Sequence, residues 1–153
     1  MHYRTILSIL TLIASPALAQ VSVHEPWVRA TVPEQTVTGA FMTLTAATDA
    51  RLISASSPVA GTTELHRMTM ENGVMRMRRV SGIELPAGKE TALEPGGFHI
   101  MFMNLKHQVK EGGTVPITLV IEEKGGKRVR VEVKAPVRPL DASAEGGHGE
   151  HRH

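Results

Sequence analysis

The 153-residue sequence contains no cysteine. That absence excludes thiol redox chemistry, thiolate zinc sites, iron–sulfur clusters and any electron-transfer centre built on a cysteine sulfur. Aromatic side chains are scarce, at 3%. Beyond residue 19 they are Trp27, Phe41, Phe98 and Phe102, too few for a platform on which bases could stack. A charge imbalance is missing as well, with 17 Lys and Arg against 15 Asp and Glu. No nucleic-acid partner is therefore expected. No apolar run reaches the length of a membrane-spanning helix, and no segment has an amphipathic helical period. There is no Ser/His/Asp set, pair of carboxylates or phosphate-cradling glycine loop, so the protein is not expected to be an enzyme.

The first twenty residues read "MHYRTILSILTLIASPALAQ". A short basic start at Arg4 precedes a largely apolar run from Ile6 to Ala14, and Ala17-Leu18-Ala19 has the small-x-small form of a signal-peptidase site. The expectation is a signal peptide over 1–19, removed on export to the periplasm, and a mature, cysteine-free domain large enough to fold without disulfides. Strand signals fill that domain at 40–46, 51–57, 62–68, 98–105, 115–123 and 128–137. Between them fall turn signals such as Asn72-Gly73, Pro95-Gly96-Gly97 and Gly125-Gly126. The pattern predicts an all-β fold over 20–140, a Greek-key sandwich or barrel. From Asp141 the residues "DASAEGGHGEHRH" include no apolar side chain larger than alanine, so 141–153 is expected to be a disordered tail.

Sulfur and imidazole are concentrated. Met68, Met70, Met75 and Met77 crowd into "LHRMTMENGVMRMRRV" beside His66, and Met101 and Met103 follow His99. Asn72-Gly73 favours a two-residue type I′ hairpin turn. In that register Met70 faces Met75 and Met68 faces Met77. Alternation then puts His66, Met68, Met70, Met75 and Met77 on one face of the ribbon, with Arg67, Arg76 and Arg78 on the other. Arg79 falls opposite His66, a poor place for a cation on a metal face unless the strand ends or bends there. In "FHIMFMN", Phe98, Ile100 and Phe102 share the natural core face, and His99, Met101 and Met103 the opposite one. Methionine can fill irregular cores, but strand cores favour β-branched residues, and imidazoles among thioethers find little to hydrogen-bond. A soft metal site accounts for the set better. Thioether and imidazole suit Cu(I), and a hard divalent ion would prefer oxygen.

The spacing His66-x10-Met77-x21-His99-x-Met101 resembles the signature of the periplasmic copper chaperones called PCu(A)C. The likeness extends to "EPWVRATVPEQTVTGAFMTL", with Trp27, Arg29 and Gly39-Ala40, and to "IELPAGKETALEPGGFHIMFMNLK". It covers roughly residues 24–137. The resemblance implies a cupredoxin-like fold, His66, Met77, His99 and Met101 as ligands of Cu(I), and a monomeric carrier. It further implies delivery to the dinuclear centre of the copper-bearing subunit of cytochrome c oxidase, with a Sco-type protein as co-worker. Met68, Met70, Met75 and Met103 lie outside the motif and remain open between secondary metal donors, a transfer path and packing. His148, His151 and His153 in the tail are candidate nitrogen donors for Cu(II). The arginine cluster stays open between a solvated face and a docking patch for an acidic acceptor. Two other readings stand beside delivery: a copper storage or resistance protein, and a structural sandwich with a methionine-rich core.

Overall fold

The computed structural model describes residues 20–142. Those residues form ten strands: β1 (Val21–Arg29), β2 (Thr38–Ala46), β3 (Ala50–Ser56), β4 (Ala60–Glu71), β5 (Val74–Arg79), β6 (Ile83–Leu85), β7 (Glu90–Leu93), β8 (Phe98–Leu105), β9 (Thr114–Glu123) and β10 (Arg128–Arg138). The predicted segments fall on β2, β3, β4, β8, β9 and β10, with Ser57 one residue past the end of β3, and the Asn72-Gly73 hairpin is β4–β5. Three strands had no sequence signal of their own. Of these, β6 and β7 are only 3 and 4 residues long. β1 is irregular, with Glu25 at φ 47 and a register shift against β2 between His24 and Trp27. A bulge of this kind scrambles strict alternation and re-aims the side chains after it.

The strands are ordered β5-β4-β8-β7-β2-β1-β10-β9-β3-β6, with β8 also pairing β2. The two halves join through a short parallel contact, Val28 with Val137 and Arg29 with Arg138. The sheet folds over at that seam, because both halves send apolar side chains into one cluster. Val28, Leu44, Leu65, Ile100 and Phe102 come from the first half, and Leu52, Ile83, Ile117, Leu119 and Ile121 from the second. Each such side chain, fully buried, contributes about 1.5–3 kcal/mol. The sheet stays open, with β5 and β6 as its edges, so the molecule is a sandwich and not a closed barrel. The expected signal peptide and the tail with His148, His151 and His153 lie outside the described residues.

One strand sets up everything that follows. In β8, Ile100 and Phe102 are fully buried in the core. The period of two then forces His99, Met101 and Met103 onto the outer face of the sheet.

Candidate metal centre

The outer face is a stack of cross-strand rungs. Pairings Gly39–Met101 and Met101–Glu64 make one rung across β2, β8 and β4. His99–His66 and His66–Arg79 make the next, across β8, β4 and β5. Met68–Met77 and then Met70–Met75 complete the series toward the hairpin turn, in the register expected from Asn-Gly. Positive φ at Asn72 (50) and Gly73 (76) is the type I′ geometry that holds this register.

A cleft of about 290 Å³ opens on this face, lined by Met68, Met77, His99 and Met101 together with Gly39 and Phe41. His66 flanks it, its ring 5.7 Å from that of His99. The four motif residues therefore meet, although Met77 and His99 are 22 positions apart in sequence. Met68 joins them. Met70 and Met75 lie on the same face beyond the cleft, 63% and 45% exposed. Met103 pairs with Thr62, on the other side of Met101. A larger hollow of about 550 Å³ elsewhere has His107 as its one imidazole and no sulfur.

The far wall of the cleft is aromatic. Trp27 packs on Phe41 at 4.5 Å, Phe41 approaches His99 at 6.2 Å, and the Arg29 guanidinium lies 5.5 Å from the Phe41 ring centre. Gly39 allows this arrangement, since a Cβ there would stand 2.8 Å from Phe41 Cζ. Its lack of a side chain also leaves room beside Met101. The wall stands against His99, and burial pushes the His99 pKa below its ordinary value. The Gly97 hydrogen bond acts in the opposite sense, and His66 adds a smaller lowering.

The two rings are held by one nitrogen each. His99 Nδ1–H donates to the Gly97 carbonyl at 3.2 Å, and His66 Nε2–H donates to the Glu64 carboxylate at 2.7 Å. The other nitrogens, His99 Nε2 and His66 Nδ1, are buried and have no hydrogen-bond partner. Burying such an acceptor unpaired costs about 1–3 kcal/mol. Two on neighbouring rings, in the company of thioethers, make a pair of nitrogen donors without a protein partner. Among the described residues no three His, Cys, Asp or Glu side chains converge to hold an ion. The side chains beside His99 that could add soft donors are the methionines lining the cleft, Met68, Met77 and Met101.

Glu64 was missed from the sequence. It shares the outer face with His66 two residues on, and that alternation was the available signal. It also resolves the position of Arg79. β5 ends at Arg79, whose guanidinium reaches Glu64 Oε1 at 3.6 Å, so one carboxylate serves both Arg79 and His66.

Residues 21–136 match the family described as putative lipoprotein LpqE-like. The chain belongs to the LpqE-like family. It is 33% identical over 115 residues to a putative lipoprotein of Leifsonia xyli subsp. xyli, covering 74% of this chain and 69% of that one. Among solved structures, this LpqE-like chain is similar to the Cu(I) form of DR1885 from Deinococcus radiodurans. That match has 30% identity, a TM-score of 0.63 and 85% coverage of each chain. It is also similar to the copper-bound PCuAC domain from PmoF2, with 25% identity, a TM-score of 0.64, and 80% and 96% coverage. The PCu(A)C resemblance is upheld, and with it the cupredoxin-like fold.

Proposed function

We propose that this protein is a periplasmic copper chaperone that holds one Cu(I) between His66, Met77, His99 and Met101. The observation that carries the reading is the pair of buried, unpartnered ring nitrogens, His66 Nδ1 and His99 Nε2, on one rung beside two thioethers. All four donors are neutral, so the bound ion keeps its single positive charge and stays exchangeable. Met77, 47% exposed, is the donor an acceptor could displace first. Glu64 holds His66 in the tautomer that presents Nδ1, as partners of ligating histidines do in metal sites generally.

The copper-bound relatives support copper as cargo, and Cu(I) in particular. The lipoprotein family supports an exported, envelope-associated protein. In this reading the protein works as a monomer that delivers to the dinuclear copper centre of cytochrome c oxidase, with a Sco-type co-worker. The tail histidines His148, His151 and His153 hold a separate, weaker Cu(II), which a chain ending at Leu140 would not bind.

The test is anaerobic Cu(I) titration against a competing chelator. Met77→Ala and Met101→Ala should each weaken binding tenfold or more, roughly 1.4 kcal/mol. Unchanged affinity in both variants removes the centre. Copper retained against an apo acceptor domain would make the protein a store instead of a carrier.

A further inference from the structure

The sulfur-bearing face does not stop at the cleft. β4 pairs with β8 as far as Arg67–Phe98, and the Met68 amide reaches Gly97 at 3.0 Å. Beyond that point the ribbon is β4 and β5 alone. The Met70–Met75 rung lies on this projecting part, one rung past Met68–Met77.

Nothing in the packing calls for methionine there. Every residue of β5 is exposed, so the outer rung serves no core. The two faces of the ribbon are sorted. Arg67, Thr69, Glu71, Val74, Arg76 and Arg78 occupy one, and all four ribbon methionines the other, in line with the two histidines. Opposed side chains stand about 5 Å apart, and successive rungs on one face about 7 Å. A methionine side chain, with three rotatable bonds, spans a step of that size.

We infer that Met70 and Met75 form a second, exposed Cu(I) position, which accepts the ion and passes it through Met68 and Met77 to the two-histidine centre. The inference rests on the Cu(I) reading of that centre. Each step is ligand exchange. A copper–sulfur bond to one thioether forms as a bond to the previous one breaks, copper stays Cu(I), and no proton moves between thioethers. Two thioethers alone hold the ion more weakly than a four-donor set that includes two imidazoles, so the ladder runs downhill into the cleft. The competing account of the same rung is an apolar contact for a partner protein. Leucine separates the two, because it keeps volume and apolarity and removes the donor.

The experiment uses mature protein with 13C-labelled methionine methyls, titrated anaerobically with Cu(I), a diamagnetic ion. The first equivalent should shift the Met77 and Met101 methyls, and the Met70 and Met75 methyls should shift between the first and second equivalents. The M70L/M75L double variant should lose the second equivalent, keep its affinity for the first, and load that first equivalent more slowly in stopped flow. Met70 and Met75 methyls that stay still through two equivalents overturn the inference, as does wild-type loading in M70L/M75L. A fall in first-equivalent affinity in that variant overturns it too, since the outer rung would then belong to the inner centre. If Met77 and Met101 fail to respond to the first equivalent, the reading of the centre itself has failed.

Discussion

The β9–β10 and β4–β5 hairpins are the same motif put to opposite uses. In β9–β10 one face is apolar and buried, with Val115, Ile117, Leu119 and Ile121 in β9 and Val133, Ala135 and Val137 in β10. The other face is polar, as where Thr118 donates to Glu132 at 2.8 Å. β4–β5 alternates just as strictly, but β5 buries neither face. It is held by its backbone ladder, by the I′ turn, and by Glu71, which accepts from Arg78 at 2.9 Å and lies 3.4 Å from Arg76. A face that owes nothing to packing can be given to chemistry. The thioethers of this ribbon are free to meet an ion because the fold does not need them elsewhere.

The largest contrast should be in stability. Leu119→Ala deletes a fully buried side chain and should cost about 2–5 kcal/mol by urea unfolding. Met75→Ala, on the ribbon, should change stability by less than about 0.5 kcal/mol. A large loss from Met75→Ala would mean the ribbon packs in solution and would erase the comparison.

Second in size is Glu64, on β4 where the strand passes from sheet to ribbon. Glu64→Ala should lower Cu(I) affinity by roughly 10- to 100-fold, the usual cost of losing the partner of a ligating histidine. Glu64→Gln, which keeps an acceptor oxygen, should lose less. Equal affinities in all three proteins would show that Glu64 only neutralises Arg79.

A smaller effect follows from acid. Burial lowers the His99 pKa in the fold, and unfolding returns it to about 6.5. As pH falls below that value the unfolded chain takes up the proton first. The contribution to stability is complete above pH about 6.5, is lost as pH falls toward the folded pKa, and falls no further beneath it. Urea midpoints of the metal-free protein from pH 7.5 to 5 should decline accordingly, and His99→Gln should flatten the decline. Copper affinity should fall more steeply. With two histidine ligands, log K should drop by about two per pH unit at the acid end, and by about one in His66→Met. Equal slopes would remove His66 from the ligand set.

The smallest expected effect is at Glu71. Its carboxyl is held below the usual range by Arg78, whose side chain donates to it. Glu71→Gln should lower amide-exchange protection in β5 at low ionic strength only. The difference should vanish near 1 M salt, where surface charges are screened within about 3 Å. A difference that survives salt would show a packing role for the ribbon after all.

Local order was legible in the sequence. Asn72-Gly73 sets the β4–β5 register because a two-residue I′ turn permits one pairing. A period of two divides β8 into a core face and a donor face without reference to any other strand. The motif spacing, read through family resemblance, named the four residues that meet at the cleft. The rest depends on which strands become neighbours. That His66 stands opposite His99 follows from β4 docking on β8 with Leu65 paired to Ile100 in the core. Burial decides that register across more than thirty residues of intervening chain, and no local signal carries it. The same docking sets Glu64 beside Met101, and the bulged β1 packs Trp27 on Phe41, the aromatic residue that lines the cleft. Sequence by itself determined which side chains share a face of a strand, because alternation is a property of the backbone. Tertiary structure decided which faces join into one surface and which ring nitrogens go unpaired there, because those outcomes depend on the packing of a core assembled from both halves of the sheet.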